Sequence, residues 1–172
     1  MDVDVDQVDI VASYMQAHQL LLVTAESCTA GLIASRLVDY PGAGEILDCA
    51  FVTYSPAAKQ GCLGVNEATI QTFGLTSEQV SIEMAQGALA RSHANVAIAN
   101  TGVTESMPDG PPEGTQCFAW VFKAPHPPMK VFSETRRFDG ERNAIRTASA
   151  EYALIQLVHL HAKLMSATGN PS

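Results

Sequence analysis

The chain has 172 residues, of which 47% are hydrophobic and 16% are charged, and its formal net charge is −8. This length favours a single domain spanning residues 1–172, with enough apolar residues for a packed core. The acidic balance argues against binding nucleic acid or an anionic membrane through bulk charge. Four of the ten basic residues nevertheless fall within eleven positions, namely Arg136, Arg137, Arg142 and Arg146. This cluster predicts one positive spot on an acidic protein.

Cysteines, histidines and hydropathy exclude further classes of protein. The four cysteines are widely spaced and form no Cys-x-x-Cys pair, which favours a reduced, cytoplasmic chain. The five histidines form no His-x-x-x-His pair, so we expect no metal site, and we expect no other cofactor. No apolar run reaches the roughly 20 residues of a membrane span, and the N-terminus carries Asp where a signal peptide needs Lys or Arg. We therefore expect no contact with membranes.

The predicted elements alternate between helices and strands in the first two thirds of the chain. In order, they are a helix over 6–19, a strand over 20–25, a polar turn over 26–31, a helix that ends at 40–42, a strand over 49–54, a short helix that begins at Ser55-Pro56, helices over 66–73 and 76–93, and a strand over 95–100. Each helix shows apolar residues at helical spacing or a capping signal, and each strand is short, apolar and rich in β-branched residues. This alternation is typical of α/β proteins.

The last third of the chain predicts a hairpin and a long helix. A loop rich in Pro and Gly covers 103–114, and a proline-rich connector at 124–128 joins strands over 115–123 and 129–138. Asp139 is predicted to cap a final helix over 141–165, followed by a frayed tail over 167–172. The whole pattern predicts a three-layer α/β/α sandwich with a mixed β-sheet. An apolar stripe on the final helix leads us to expect a homo-oligomer.

The turn after the first strand is the first candidate site. A hydroxyl or thiol at a helix N-terminus meets unpaired N–H groups that favour an oxyanion. Ser27 and Cys28 are both candidate nucleophiles, and local sequence does not choose between them, because Ser27 or Thr29 can equally be a helix cap and Cys28 a buried structural thiol.

Two further candidates lie at a strand end and at the start of the last helix. Tyr54 and Lys59 are predicted to face one cleft, and burial would make Lys59 a base, whereas a solvent-facing lysine is the alternative. Their spacing is one residue longer than the Tyr-x-x-x-Lys of short-chain dehydrogenases, which argues against that class. If Asp139 is the cap, Arg142 stands where a cation opposes the helix dipole. This position suggests a bound anion such as phosphate, and a solvated helix end is the alternative.

Several of these segments together resemble a known family. They are 24–31 (TAESCTAG), 51–59 (FVTYSPAAK), 64–66 (GVN), 99–102 (ANTG) and 140–142 (GER). In this order and spacing they are similar to the CinA C-terminal domain family of nicotinamide-nucleotide amidohydrolases, over about residues 7–163. Members hydrolyse the carboxamide of nicotinamide mononucleotide to nicotinate mononucleotide and ammonia, and this chain resembles the stand-alone form.

The resemblance implies a role for each matching residue. Ser27 corresponds to the family's nucleophile, and Tyr54 and Lys59 to its other two catalytic residues, with Lys59 taking the serine proton directly or through Tyr54. The residues expected to bind the mononucleotide substrate are Glu26, Thr29, Gly31, Thr101, Gly102 and Arg142, with N–H groups around 29–31 holding the oxyanion and Arg142 meeting the phosphate.

The 103–114 loop departs from the family pattern. The family follows its Thr-Gly with Ile-Ala-Gly-Pro and a glycine-rich loop, whereas this chain has Glu105-Ser106 in place of Gly-Pro and a second added carboxylate at Glu113. Because this loop is expected to border the ligand, an added carboxylate would weaken the binding of phosphate. The leading hypothesis is therefore a nicotinamide mononucleotide deamidase. The alternatives are a nucleotide-binding or regulatory module that has lost the chemistry, and an interaction domain without a small-molecule site.

Overall fold

The computed structural model describes residues 7–123 and 129–168. In chain order the elements are α1 (Gln7–Ala17), β1 (Leu22–Glu26), α2 (Leu32–Val38), a 3-10 turn (Ala43–Glu45), β2 (Leu47–Val52), α3 (Pro56–Leu63), α4 (Glu67–Phe73), α5 (Glu78–Ala90), β3 (Val96–Gly102), β4 (Thr115–Phe122), β5 (Lys130–Arg137) and α6 (Arg142–Thr168). Each predicted helix and strand has a counterpart with ends displaced by a few residues, whereas the 3-10 turn is an addition. The predicted connector at 124–128 lies outside the described residues.

The five strands form one mixed sheet in the order β2-β1-β3-β4-β5. β1 runs parallel to both β2 and β3, whereas β4 runs antiparallel to β3 and to β5. The carboxyl ends of β1, β2 and β3 therefore meet at one edge of the sheet, which is where ligands bind in open α/β sheets. The loop after β3 and the start of α6 reach the same edge.

Helices cover both faces of the sheet and create two cores. On one face α1, α2 and α6 pack around side chains that include Leu22, Ile98 and Trp120, and Trp120 Nε1 donates to the Ala153 carbonyl at 2.9 Å. On the other face α5 packs against the small residues of β3 and β4, with Met84 fully buried among them. The predicted three-layer α/β/α arrangement is confirmed. In the described part of the chain, no helix combines the length and apolar character that crossing a bilayer requires.

Helix starts follow their capping residues, with one exception. Ser55 accepts a hydrogen bond from Ala58 N at 3.0 Å, and Pro56 occupies the first helical position, as predicted. The predicted cap at Asp139 is wrong, because Gly140 adopts φ +118° and α6 begins only at Arg142. At its other end α6 continues through Thr168, two residues into the predicted tail, and 169–172 lies outside the described residues.

Candidate active site

Glu26 ends β1 and organises the loop that follows it. Its two carboxylate oxygens accept five hydrogen bonds of 2.7–3.2 Å, from the hydroxyls of Thr24 and Thr29 and from the N–H groups of Gly31, Ile33 and Ala34. Ala30 (φ +48°) and Gly31 (φ +94°) are both left-handed, and this double turn leads the chain from the strand into α2 around the carboxylate. Glu26 is fully buried, so its described contacts are those of a structural anchor rather than of the predicted substrate ligand.

Ser27 and Lys59 form a buried hydrogen-bonded pair. Ser27 directly follows β1, and Lys59 lies in the first turn of α3, so the caps of that helix place its amine over the loop. Lys59 Nζ lies 2.9 Å from Ser27 Oγ and donates to the Thr53 carbonyl at 2.8 Å. Lys59 is 1% exposed, and burial lowers its pKa from 10.5 to about 8. No carboxylate of the described chain forms an ion pair with this amine, so its neutral form is accessible near neutral pH.

Asn100 and Gln116 support the loop that carries Ser27 from the neighbouring strands β3 and β4. The Asn100 carbonyl accepts from Ser27 N at 2.9 Å, and its side-chain oxygen accepts from Thr29 N at 3.1 Å. Asn100 Nδ2 donates to Gln116 Oε1 at 2.9 Å, and Gln116 Nε2 in turn contacts Cys28 Sγ at 3.4 Å and the Val103 carbonyl at 3.2 Å. Both side chains are fully buried. This pair is absent from the residues predicted from the sequence, although a polar residue inside an apolar strand is a usable signal.

The backbone N–H groups predicted to hold an oxyanion already have partners. Those of Thr29 and Gly31 donate to Asn100 and Glu26, and that of Ala30 donates to the Ser27 carbonyl at 3.1 Å. Within this loop Cys28 has the one N–H that donates to no group in the described chain. The prediction that the N–H groups at 29–31 hold an oxyanion is therefore corrected, because all three already donate to groups of the protein.

The Cys28 thiol lies next to Ser27 and has no base beside it among the described residues. It is buried, burial raises its pKa, and the group that donates to its sulfur is the Gln116 amide. A thiol in such surroundings stays protonated and inert. The geometry favours Ser27 over Cys28 as the nucleophile, a choice that the local sequence leaves open.

The arginines of the predicted basic cluster separate in space. Arg146 donates to the carbonyls of Cys28 and Thr29 at 2.9 and 3.3 Å, and so fixes the loop that carries Ser27. Arg142 is half-exposed at the start of α6 and pairs with Glu105. The two remaining members point to other partners, since Arg136 stacks on Tyr152 and Arg137 bonds the Glu113 carbonyl.

Tyr54 lies at the mouth of the site rather than beside the buried pair. It is 68% exposed and lies near the Arg142 guanidinium, whose pKa is raised first by Glu105 and further by Tyr54. In the described chain its hydroxyl makes no hydrogen bond to Ser27 or Lys59. The structure thus brings Ser27 and Lys59 together and places Tyr54 with Arg142.

Thr101 and Gly102 serve the packing around the site. Thr101 is buried, and its hydroxyl donates to the Leu75 carbonyl at 3.0 Å, on the side of the sheet that faces α5. A Cβ at Gly102 would lie 2.2 Å from Gln116 Oε1, so a larger residue would displace the Gln116 amide from its described position. Both residues are at the predicted edge of the sheet, and their described contacts are with the protein.

Comparisons with known proteins place this arrangement in a family. The family model of the CinA C-terminal domain matches residues 5–161. The chain belongs to the CinA C-terminal domain family. It is 38% identical over 148 residues to a protein of Enterobacter agglomerans named nicotinamide-nucleotide amidohydrolase PncC, covering 84% of this chain and 87% of that protein. It is also 35% identical to protein YdeJ of Escherichia coli, with 92% of each chain covered.

Other CinA relatives are longer, and solved structures of the family share the fold. A CinA-like protein of Chlorobium phaeobacteroides is 36% identical over 158 residues, which cover 88% of this chain and 37% of that protein. The chain thus spans about a third of the length of that relative. A CinA superfamily protein of Klebsiella pneumoniae superposes with a TM-score of 0.85 at 32% identity, covering 91% of this chain and 96% of that one.

Proposed function

We propose that this chain is an amidohydrolase that converts nicotinamide mononucleotide to nicotinate mononucleotide and ammonia. The observation that carries the proposal is the buried contact of 2.9 Å between Lys59 Nζ and Ser27 Oγ, with a lysine pKa of about 8. The similarity to the relative named nicotinamide-nucleotide amidohydrolase supports the same reaction and substrate. A serine next to a partly deprotonated lysine is a nucleophile with its base.

Acylation begins with the neutral form of Lys59. At a pKa of about 8, about a tenth of the enzyme holds this form at pH 7. The amine removes the Ser27 hydroxyl proton as Oγ attacks the carboxamide carbon, and the N–H of Cys28 donates to the developing oxyanion. The protonated Lys59 then passes its proton to the amide nitrogen. Ammonia leaves, and a Ser27 ester remains.

Hydrolysis of the ester repeats these steps with water. Neutral Lys59 takes a proton from water as its oxygen attacks the ester carbon, and the ammonium returns a proton to Ser27 Oγ when the ester bond breaks. The products are the pyridine carboxylate and the free serine. In both steps the Thr53 carbonyl accepts a hydrogen bond from the Lys59 amine and so holds it next to Ser27. Asn100 and Arg146 hold the loop that carries the serine.

The substrate is proposed to enter across the exposed rim of the site. Arg142 is the proposed contact for the phosphate, and Tyr54 stands next to it on the same rim. The buried Glu26, Thr29 and Thr101 act through the protein by holding the loop and the sheet edge.

Ammonia release tests the proposal directly. Purified protein incubated with nicotinamide mononucleotide is expected to release ammonia and nicotinate mononucleotide in equal amounts. We expect Ser27→Ala to lower the rate about a thousandfold, whereas Cys28→Ala retains it within about twofold. If Cys28→Ala lowers the rate and Ser27→Ala does not, the nucleophile is Cys28 and not Ser27. Wild-type protein that releases no more ammonia than Ser27→Ala would contradict the proposed function.

A second candidate function is a nucleotide-binding or regulatory module without turnover. The observation that favours it is the ion pair of Glu105 with Arg142, the residue proposed to bind the phosphate. Calorimetric titration with nicotinamide mononucleotide separates the two functions, because stoichiometric binding without ammonia release is the signature of the module.

A further inference from the structure

The strongest unexplained feature of the site is the pairing of Glu105 with Arg142. Glu105 belongs to the loop between β3 and β4, and Arg142 is the first residue of α6, 37 positions later in the chain. The guanidinium donates through Nη2 to Glu105 Oε1. Both side chains are exposed, at 51% for Arg142 and 67% for Glu105, so the pair is open to exchange with a ligand from solution.

Arg142 is the cation of this site that remains accessible. Burial raises the pKa of the Cys28 thiol, and Arg146 and Arg142 are both close enough to lower it in part. The guanidinium of Arg146, however, donates to the carbonyls of Cys28 and Thr29, and Lys59 is buried. Among the described residues around Ser27, Arg142 is thus the exposed positive group, and Glu105 neutralises it.

We propose that Glu105 is a specificity-determining residue: it acts as an internal anion that competes with a substrate phosphate for Arg142. The proposal rests on the proposed function, since it concerns the substrate of the same site. A phosphate monoester must displace the carboxylate and then remain close to its negative charge. A pyridine nucleoside without phosphate neither displaces the carboxylate nor is repelled by its charge. The carboxylate of Glu105 therefore lowers the affinity of the site for phosphorylated carboxamides relative to carboxamides without phosphate.

Calorimetric titration of Glu105→Gln measures this competition. Titrations in a Ser27→Ala background, which prevents turnover, use nicotinamide mononucleotide, nicotinamide riboside and inorganic phosphate as probes. We expect Glu105→Gln to tighten binding of the mononucleotide and of inorganic phosphate about fivefold to tenfold, and to leave the riboside within about twofold. The gain for the mononucleotide is expected to disappear when Arg142→Gln is added.

Glu113→Gln is the matched control. Glu113 belongs to the same loop and carries the same charge, but its carboxylate forms no ion pair in the described chain. We expect this variant to change mononucleotide binding less than twofold. Equal effects of the two glutamine variants, equal effects on mononucleotide and riboside, or absence of mononucleotide binding in every variant would each overturn the proposal. An absence of ammonia release by the wild-type chain would contradict the proposed function instead, and the binding comparison would still decide the role of Glu105.

Discussion

Two contacts at the same edge of the sheet differ in their surroundings. The Ser27–Lys59 pair has exposures of 7% and 1%, and carbonyls and amides of the protein hold it from several sides. The Glu105–Arg142 pair joins two side chains that are more than half exposed, one of them on an irregular loop. Both contacts are short and polar, yet water screens only the second.

The difference separates the chemistry of the site from its selectivity. In the buried region desolvation shifts the lysine pKa, and the surrounding hydrogen bonds hold the serine in a single geometry. At the exposed rim water screens the Glu105–Arg142 ion pair, so a ligand can replace it at little cost. We therefore expect a change of sequence at the rim to alter which substrate is preferred and to leave the proposed reaction in place.

Lys59→Met is expected to have the largest effect among the changes to these regions. Methionine fills a similar volume without a base, so the serine proton has no acceptor. We expect kcat for ammonia release to fall about a thousandfold, within the range of general-base catalysis. The rate of the wild-type and variant proteins with nicotinamide mononucleotide measures this effect, and circular dichroism checks that the variant is folded.

The pH profile of ammonia release by the wild-type protein is the companion measurement for Lys59. Because the neutral amine is the proposed active form and burial lowers its pKa to about 8, kcat/KM should rise about tenfold per pH unit below 8 and level off above it. The residual activity of Lys59→Met should lack this rise. A wild-type profile that is flat from pH 6 to 9 would exclude Lys59 as the base.

Asn100→Ala tests whether the buried region depends on its supporting amides. The change leaves Thr29 N and Gln116 Oε1 without partners, so we expect a loss of about 1–3 kcal/mol in unfolding free energy. The loop that carries Ser27 loses one of its supports, and we expect kcat to fall about tenfold while KM changes less than twofold.

Asn95→Ala provides the matched control for this prediction. Asn95 precedes the same strand at its opposite end, where its side chain bonds Leu21 N and the Gln19 carbonyl at 2.8 Å each. A similar loss of stability is expected there, with kcat unchanged. If both variants lower kcat in proportion to their stability, Asn100 has no positioning role beyond the fold.

The fold was predictable because its signals are local. Helical spacing, short β-branched runs and the Ser55-Pro56 cap each act within a few residues, and they led to the correct order of elements. The errors occur where one residue overrides a pattern. The left-handed conformation of Gly140 delays α6 to Arg142, although Asp139 is a good capping residue by type.

The candidate site was predictable in part. Local sequence makes Ser27, Cys28 and Lys59 candidates, and family resemblance favours Ser27 over Cys28. The contact between Ser27 and Lys59 follows from loops that meet at the carboxyl ends of neighbouring parallel strands. The hydrogen bond between Asn100 and Gln116 depends on the register of β3 and β4, which sequence spacing does not report. The partner of Arg142 likewise depends on the path of an irregular loop, for which no periodicity exists.

Tyr54→Phe determines to which of the two regions this residue belongs, and it has the smallest expected effect. The Tyr54 hydroxyl lies near Arg142 at the rim, so its removal should raise KM for nicotinamide mononucleotide about threefold and leave kcat within about twofold. Tyr40→Phe is the control, since that hydroxyl bonds Gln16 away from the site. If Tyr54 instead relays the serine proton to Lys59, as family resemblance allows, kcat falls a hundredfold or more and the pH profile shifts. The chemistry would then extend to the exposed rim, and the separation between buried catalysis and exposed selectivity would fail at this residue.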